Sequence, residues 1–237
     1  MGQKTALQLI NQALQELGLP QAQTIISAQD DQIGYQALGL LNNLGEEISR
    51  AHDWQFLEQV AEYIGTGNLP QFPLPSDFGR VVNQTEWSSA NKRPAYGPIS
   101  PQGWSWIQYG IVSVGVYYRY RILDDQFYIF PNLAAGEKFN FFYISKNWAK
   151  SATNVPKDQI TADDDKTYFD DFLIVTGLKY KIWSAKGMDS AGLYGEFMYM
   201  LNALKAQNQG APVIALDSRW NHLYISGQNV PDGSWNV

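Results

Sequence analysis

The sequence predicts an α+β chain: a four-helix core formed by an N-terminal and a C-terminal helical pair, an antiparallel β-rich insert between them, and an extended C-terminal arm. Three observations carry this reading. Apolar residues step by three and four up to about residue 57 and again from about 160 to 209, the period of helices with one buried face. Between about 58 and 145 the period falls to two, β-forming residues dominate, and prolines at 70, 73 and 75 break any helix. After 210 neither period holds, although apolar residues continue. The 237 residues therefore divide into 1–57, the first half of the helical core; 58–150, the β insert; 151–209, the second half of the core; and 210–237, the arm.

Leu7, Ile10, Leu14 and Leu17 form the stripe of a first helix over about 4–17, stopped by Gly18 and Pro20. Ser27 or Asp30 is the expected cap of a second helix with Ile33, Ala37, Leu40, Leu41, Leu44, Ile48 and Ala51 facing inward, ending near Trp54. Strands are expected near 58–64, 72–74, 80–87, 105–109, 112–121, 126–131 and 138–145. Leu123-Asp124-Asp125 and Ala134-Ala135-Gly136-Glu137 carry hairpin turn chemistry. Pro94, Gly97, Pro98, Pro101 and Gly103 mark an exposed loop between Trp87 and Trp104. A third helix is expected from Ile160, capped by Thr161 or Asp163, burying Tyr168, Phe169, Phe172, Leu173, Val175, Leu178 and Ile182 and ending at Gly187. A fourth begins at Asp189 and runs through Leu193, Phe197, Met200, Leu201 and Leu204 to before Gly210. The last 27 residues span up to about 90 Å if extended.

Composition excludes several classes of function. The chain has no cysteine and two histidines, which removes disulfide frameworks, cysteine–zinc sites and thiol nucleophiles and leaves little for imidazole-bound metals. A formal charge of −6 opposes a surface that neutralises nucleic-acid phosphates. No stretch approaches the roughly twenty apolar residues of a spanning helix, and the first nineteen residues lack the apolar core of a signal peptide. With 14% aromatic residues, including eight tryptophans, the chain carries more aromatic surface than a core of this size usually needs, a sign of interfaces or sugar-like ligands.

Residues able to do chemistry are few. Gly65-Thr66-Gly67 lacks the third glycine and the helix of a dinucleotide fingerprint. Ser113 and Ser190 each miss nucleophile-elbow spacing by one residue, and His52 and His222 lie far from both in sequence. The carboxylates Asp124-Asp125, Asp163-Asp164-Asp165 and Asp170-Asp171 are an acid–base inventory by residue type, but a turn for the first pair and helix-start charge for the others are the favoured explanation. Tyr117-Tyr118-Arg119-Tyr120-Arg121 interleaves aromatics with cations, yet on a strand Tyr118 and Tyr120 share one face and the others the opposite face, the pattern of a half-buried strand. Trp87, Trp104, Trp106 and Tyr109 bracket the proline-rich loop and are the candidates for an exposed aromatic tip that docks a partner. Trp54 and Phe56 are candidates for locking the second helix to the start of the insert.

The order of elements and three short motifs carry a resemblance. Two helices, then Asp53-Trp54-Gln55-Phe56-Leu57, an insert opening with Phe72-Pro73-Leu74-Pro75-Ser76-Asp77-Phe78-Gly79-Arg80, then a helical pair containing Ala185-Lys186-Gly187-Met188-Asp189: over residues 3 to 209 this resembles the head-to-tail adaptors of tailed bacteriophages, also called tail tubular protein A or gatekeeper proteins. The resemblance implies a non-enzymatic virion protein without cofactors or metal, made in the host cytoplasm and placed at the head–tail interface. It implies a homo-oligomeric ring of about twelve copies beneath the portal protein, with a downstream tail or nozzle protein attached and double-stranded DNA passing through without sequence-specific binding. On that basis Val213, Ile214, Leu216, Trp220, Tyr224 and Trp235 are expected to dock the arm on the portal, and Trp87, Trp104, Trp106 and Tyr109 to dock the insert on the tail. The alternative is a glycan-binding or glycan-hydrolysing protein that uses the Trp-rich insert.

Overall fold

The structure is a computed structural model, and it describes residues 4–27, 31–68, 70–89, 92–110 and 117–208. Helix α1 spans Ala6–Glu16. Thr5 and Gln8 form a capping box, and the Gly18 backbone at φ +69° closes the helix, with the amides of Gly18 and Leu19 returning to the carbonyls of Gln15 and Leu14. Helix α2 spans Gln32–Arg50 and is capped by Asp31 rather than by the expected Ser27 or Asp30. One Asp31 carboxylate oxygen accepts the Gly34 amide at 2.9 Å while the other accepts that of Gln23 at 2.8 Å, so this aspartate fixes both the helix start and the preceding linker. Ala37, Leu41, Leu44 and Ile48 are buried, but Ile33, in the first turn, is exposed, and so is Ala51, which lies just past the end of the helix.

Helix α4 spans Asp171–Ala185 and α5 spans Ala191–Asn208. The short helix α3 lies earlier, at Pro101–Tyr109. Helix α4 packs on α1, α2 and α5, and these faces merge with Trp54, Leu57, Trp148, Ile160 and Phe169 into one apolar cluster. At Gly177 the approach leaves no room for a side chain: a Cβ there would lie 2.7 Å from Leu44.

The expected start of α4 at Ile160 is corrected to Asp170, whose carboxylate accepts the amides of Phe172 and Leu173. The aspartates read as helix-start charges instead bond outside the helix. Asp163 accepts the Ile25 amide at 2.8 Å, and Asp165 accepts those of Thr161 and Ala162. Short carboxylates compete in this way with helical hydrogen bonding, so residues 160–165 are irregular and turn-like and the chain then enters a short strand, Lys166–Thr167, before the helix. The same segment meets α1, whose first amides, Ala6 and Leu7, donate to the carbonyls of Asp165 and Asp163. Phe172, expected inside, is exposed.

The β unit contains two sheets. In the larger, β1 (Glu58–Ile64) pairs antiparallel with β8 (Lys138–Ser145), which also pairs with β3 (Phe78–Val81) and β4 (Trp87–Ser88), and β4 pairs with β5 (Arg93–Pro94). In the smaller, β7 (Gln126–Phe130) lies between β2 (Gln71–Pro73) and β6 (Arg119–Leu123). The β6–β7 hairpin turns at Asp124 and Asp125, both with positive φ, as a two-residue turn between twisted strands requires. Ala134 to Glu137 does not close a hairpin, because β7 and β8 belong to different sheets. The sheets bury Tyr63, Phe139 and Phe141 against Tyr120, Phe127 and Ile129, with Phe127 stacked on Phe141 at 4.7 Å and on Tyr120 at 4.8 Å. Two carboxylates lie inside this unit. Tyr120 donates to Glu86, while Tyr118 at 2.8 Å and Ser88 at 2.5 Å donate to Glu137, so each buried acid is hydrogen-bonded. A third, short sheet orders β9 (Ala149–Lys150) between β10 (Pro156–Lys157) and β11 (Lys166–Thr167).

Two of the sequence motifs meet where the units join. Arg80 on β3 donates to the Asp53 carboxylate at 2.7 Å and to the carbonyls of Ser49 and His52. Its guanidinium therefore satisfies carbonyls left free by the end of α2 and places a cation at the negative end of the helix dipole.

Candidate interaction surfaces

The segment between Pro94 and Gly110 is not an exposed loop followed by a strand over 105–109. Ser100 caps α3 by accepting the Gly103 amide at 3.1 Å, and Pro101 occupies the first helical position, where its missing N–H costs nothing. Proline and glycine, read from the sequence as breakers, are here a helix start; the Ser100-Pro101 pair was the available signal. Helical spacing separates the aromatic candidates. Trp104 and Ile107, three apart, turn inward, and Trp104 is 8% exposed with its ring edge-on to Tyr128 at 6.1 Å. Trp106 and Tyr109 turn outward, at 53% and 86% exposed. Trp87 is half-buried on β4, opposite Asn140. The tip expected of four exposed aromatics is thus corrected: Trp104 is core, and the outer face of α3 carries Trp106 and Tyr109.

Sequence reasoning missed a second apolar surface. Val60 and Ile64 on β1 and Phe142 on β8 are exposed on the outer face of the larger sheet, Val60 directly opposite Phe142, beside the Glu62–Lys138 ion pair at 2.9 Å. Apolar residues at both odd and even positions of 58–64 were the signal, since a strand with one wet face alternates.

Trp54 and Phe56 separate in the same way as the tryptophans of α3. Trp54 is 2% exposed and its indole N–H donates to the Ile48 carbonyl at 2.7 Å, a link from the end of α2 to the chain entering β1. Phe56 is 42% exposed, stacked on Trp54 at 5.5 Å and edge-on to Phe169 at 5.6 Å. It therefore forms a wall and not a core plug. Trp54, Phe56, Phe169, Leu173 and Leu204 line an open groove of about 220 Å³ whose rim is Asp170, Gln207 and Asn208. Asn208 ties the end of α5 to this region, its amide nitrogen 3.1 Å from His52 Nε2 and 3.3 Å from the Asp53 carbonyl. Burial pushes the His52 imidazole below its usual pKa despite the neighbouring Asp53 carboxylate.

The catalytic candidates are not brought together. Asp124 and Asp125 form a turn, Asp170 caps α4, and Asp163 and Asp165 hold backbone amides. Burial and the bond to Asp77 push the Tyr143 hydroxyl up to about 12, which keeps it a neutral donor. Among the described residues no group of three or more histidines and carboxylates is placed to hold a metal ion, and no helix is long and apolar enough to cross a membrane. Ser113, His222 and the arm residues Val213, Ile214, Leu216, Trp220, Tyr224 and Trp235 lie outside the described residues. A family model described as SU10 adaptor protein matches residues 4–219, a span that takes in both helical pairs and the β unit. No curated protein matches the chain.

Proposed function

The chain belongs to the SU10 adaptor protein family, phage head-to-tail adaptors, and from that premise we propose that it is a ring-forming connector between portal and tail. The observation that carries the reading is the length of the match, which takes in helices and β unit together instead of one shared module. In this reading the four long helices form the ring, about twelve copies beneath the portal, and the ring extends the DNA channel. A formal charge of −6 on each copy makes the assembly acidic, and an acidic lumen lets duplex phosphate slide without adhering. The outer face of α3 points to the tail contact: Trp106 and Tyr109 are large, rigid and exposed, the kind of side chain that anchors interfaces. Val213, Ile214, Leu216, Trp220, Tyr224 and Trp235 supply the arm's contacts with the portal. The protein acts by binding and not by catalysis.

Native mass spectrometry and negative-stain imaging of the chain mixed with its portal ring test the proposal. Rings of about twelve copies on the portal are expected. Monomers alone in both preparations would overturn it.

A further inference from the structure

Strand β1 is an open edge of the larger sheet: it pairs with β8 and, among the described residues, with no other strand. The hydrogen bonds around β8 identify which backbone groups of β1 are bare. The carbonyls of Phe142 and Lys138 accept the amides of Val82 and Ser89 on the far side of β8, while the Gly65 amide donates to the Glu137 carbonyl at 2.7 Å. Opposed residues of an antiparallel pair alternate between bonded and non-bonded, so Val60 and Ile64, opposite Phe142 and Lys138, turn their N–H and C=O groups away from β8, as do Glu58 and Glu62. The side chains of Val60 and Ile64 are exposed as well. Seven residues in register, with a bare backbone edge and apolar side chains beside it, are a template for another strand.

We propose that the occupant is β1 of a second copy, antiparallel about a two-fold axis at Ala61, so that the larger sheets of two copies join into one. Bare N–H and C=O groups at every second residue call for an extended strand, since a helix bonds its own backbone. With the axis at Ala61 the strand meets itself over all seven residues, Glu58 opposite the second copy's Ile64 and Val60 opposite its Glu62, and at each of these pairs bare groups face bare groups. Ala61 itself forms the non-bonded pair at the axis, where Cα atoms approach to about 4.5 Å, and it has the smallest side chain of the strand. Charge selects the same register. An axis at Val60 sets Glu58 against Glu62, and an axis at Glu62 sets that residue against itself, whereas at Ala61 no like charges are opposed. Glu62 is in addition already paired with Lys138 of its own chain. Opposed side chains lie on one face of a sheet, so Val60, Ile64 and Phe142 of both copies merge into a single apolar strip. The inference goes beyond the adaptor reading and does not depend on it: a two-fold contact joins two copies and closes, so it describes the free chain before any ring.

The full-length chain is the test material. Sedimentation over a rising concentration series is expected to show monomer giving way to dimer. Across the same series, amide hydrogen exchange read by NMR is expected to slow at least about tenfold at Val60, Glu62 and Ile64. Monomer at every concentration, or exchange at these amides that does not change, would overturn the proposal. Val60→Glu meets Glu62 of the second copy and is expected to weaken the dimer at least about tenfold, while Val60→Lys at the same exposed position leaves it intact or tightens it. Ile64→Glu, opposite Glu58, replaces Val60→Glu should that variant alter the fold. Equal weakening by the Glu and Lys variants would refute the register. Amides that stay fast in the isolated chain and slow only on the portal ring would give the edge to a strand of another protein and refute pairing with a second copy. Absence of the dimer leaves the portal-ring test unaffected, and a failure to form rings leaves the dimer unaffected.

Discussion

Trp104 and Trp106 sit two residues apart on α3, and removing them one at a time separates the scaffold of the β unit from its exposed face. Trp104 is 8% exposed and packs on Tyr128. A buried tryptophan withdraws about 150–250 Å² from water, which at about 25 cal/mol per Å² amounts to roughly 4–6 kcal/mol as an upper bound. Because a nine-residue helix at the edge of the sheets relaxes around the void, Trp104→Ala is expected to cost about 3–5 kcal/mol. Trp106 is 53% exposed and its outer face meets solvent, so Trp106→Ala is expected to cost about 1 kcal/mol or less. Urea unfolding followed by circular dichroism reads the difference. With a slope of about 3 kcal/mol/M, Trp104→Ala lowers the midpoint by about 1 M or more and Trp106→Ala barely moves it. In tail-attachment assays the order reverses, with Trp106→Ala losing about 2 kcal/mol of binding if it anchors the contact. Equal midpoint shifts for the two variants would show that helical spacing does not divide α3 as described.

Three further outcomes are expected. Gly45→Ala places a Cβ 2.4 Å from the buried Trp148 ring and should destabilise by about 1–3 kcal/mol, seen as a lower Tm; an unchanged Tm would mean that the ring moves freely. Burial alone would raise the Asp165 carboxyl, but Lys157 and the amides of Thr161 and Ala162 hold it below the usual range. A carboxyl lower in the folded than in the unfolded state stabilises fully above the unfolded pKa near 4, and that contribution is lost as pH falls through the folded value. Asp165→Asn should therefore cost about 1–3 kcal/mol at pH 7 and flatten the loss of stability between pH 5 and 3; an identical acid slope would count against the pairing. Truncation after residue 209 should retain the helical circular dichroism while abolishing portal attachment, and outright unfolding would make the arm core instead.

The sequence revealed elements with strong periods and missed those whose starting signals are local. The α1 stripe, the stops at Gly18 and Gly187, and the seven residues of β1 followed from spacing and turn chemistry, but its pairing with β8 did not. Helix α3 did not, because nine residues give too few turns for a period and Pro101 reads as a breaker unless its place after Ser100 is weighed. The late start of α4 was hidden for a different reason. Asp163 and Asp165 look like helix-start charges, and only the fold shows that their acceptors serve Ile25, Thr161 and Ala162. At the candidate surfaces, residue type identified the aromatics but not their direction: Trp104 and Phe56 exchanged the exposures expected of them. The joining of Asp53 to Arg80 across 27 positions was legible as two motifs and not as a contact.

The position of α4 sets an order of events during synthesis. Helices α1 and α2 leave the ribosome first, yet α4, the helix on which both of them pack, is complete only at Ala185, 135 residues after Arg50. At roughly 5–20 residues per second the N-terminal pair waits on the order of ten seconds with Leu9, Ile10, Leu41 and Leu44 uncovered. Meanwhile the β unit, whose long pairing of Glu58 with Ile144 closes within that interval, has every partner it needs. The nascent chain thus acquires its middle before its ends, and the waiting apolar helices are shielded only when the last third of the polypeptide arrives. A ribosome stalled before Ala185 releases a folded β unit carrying two unsheltered helices, a product prone to aggregate in a cell filling with copies of itself.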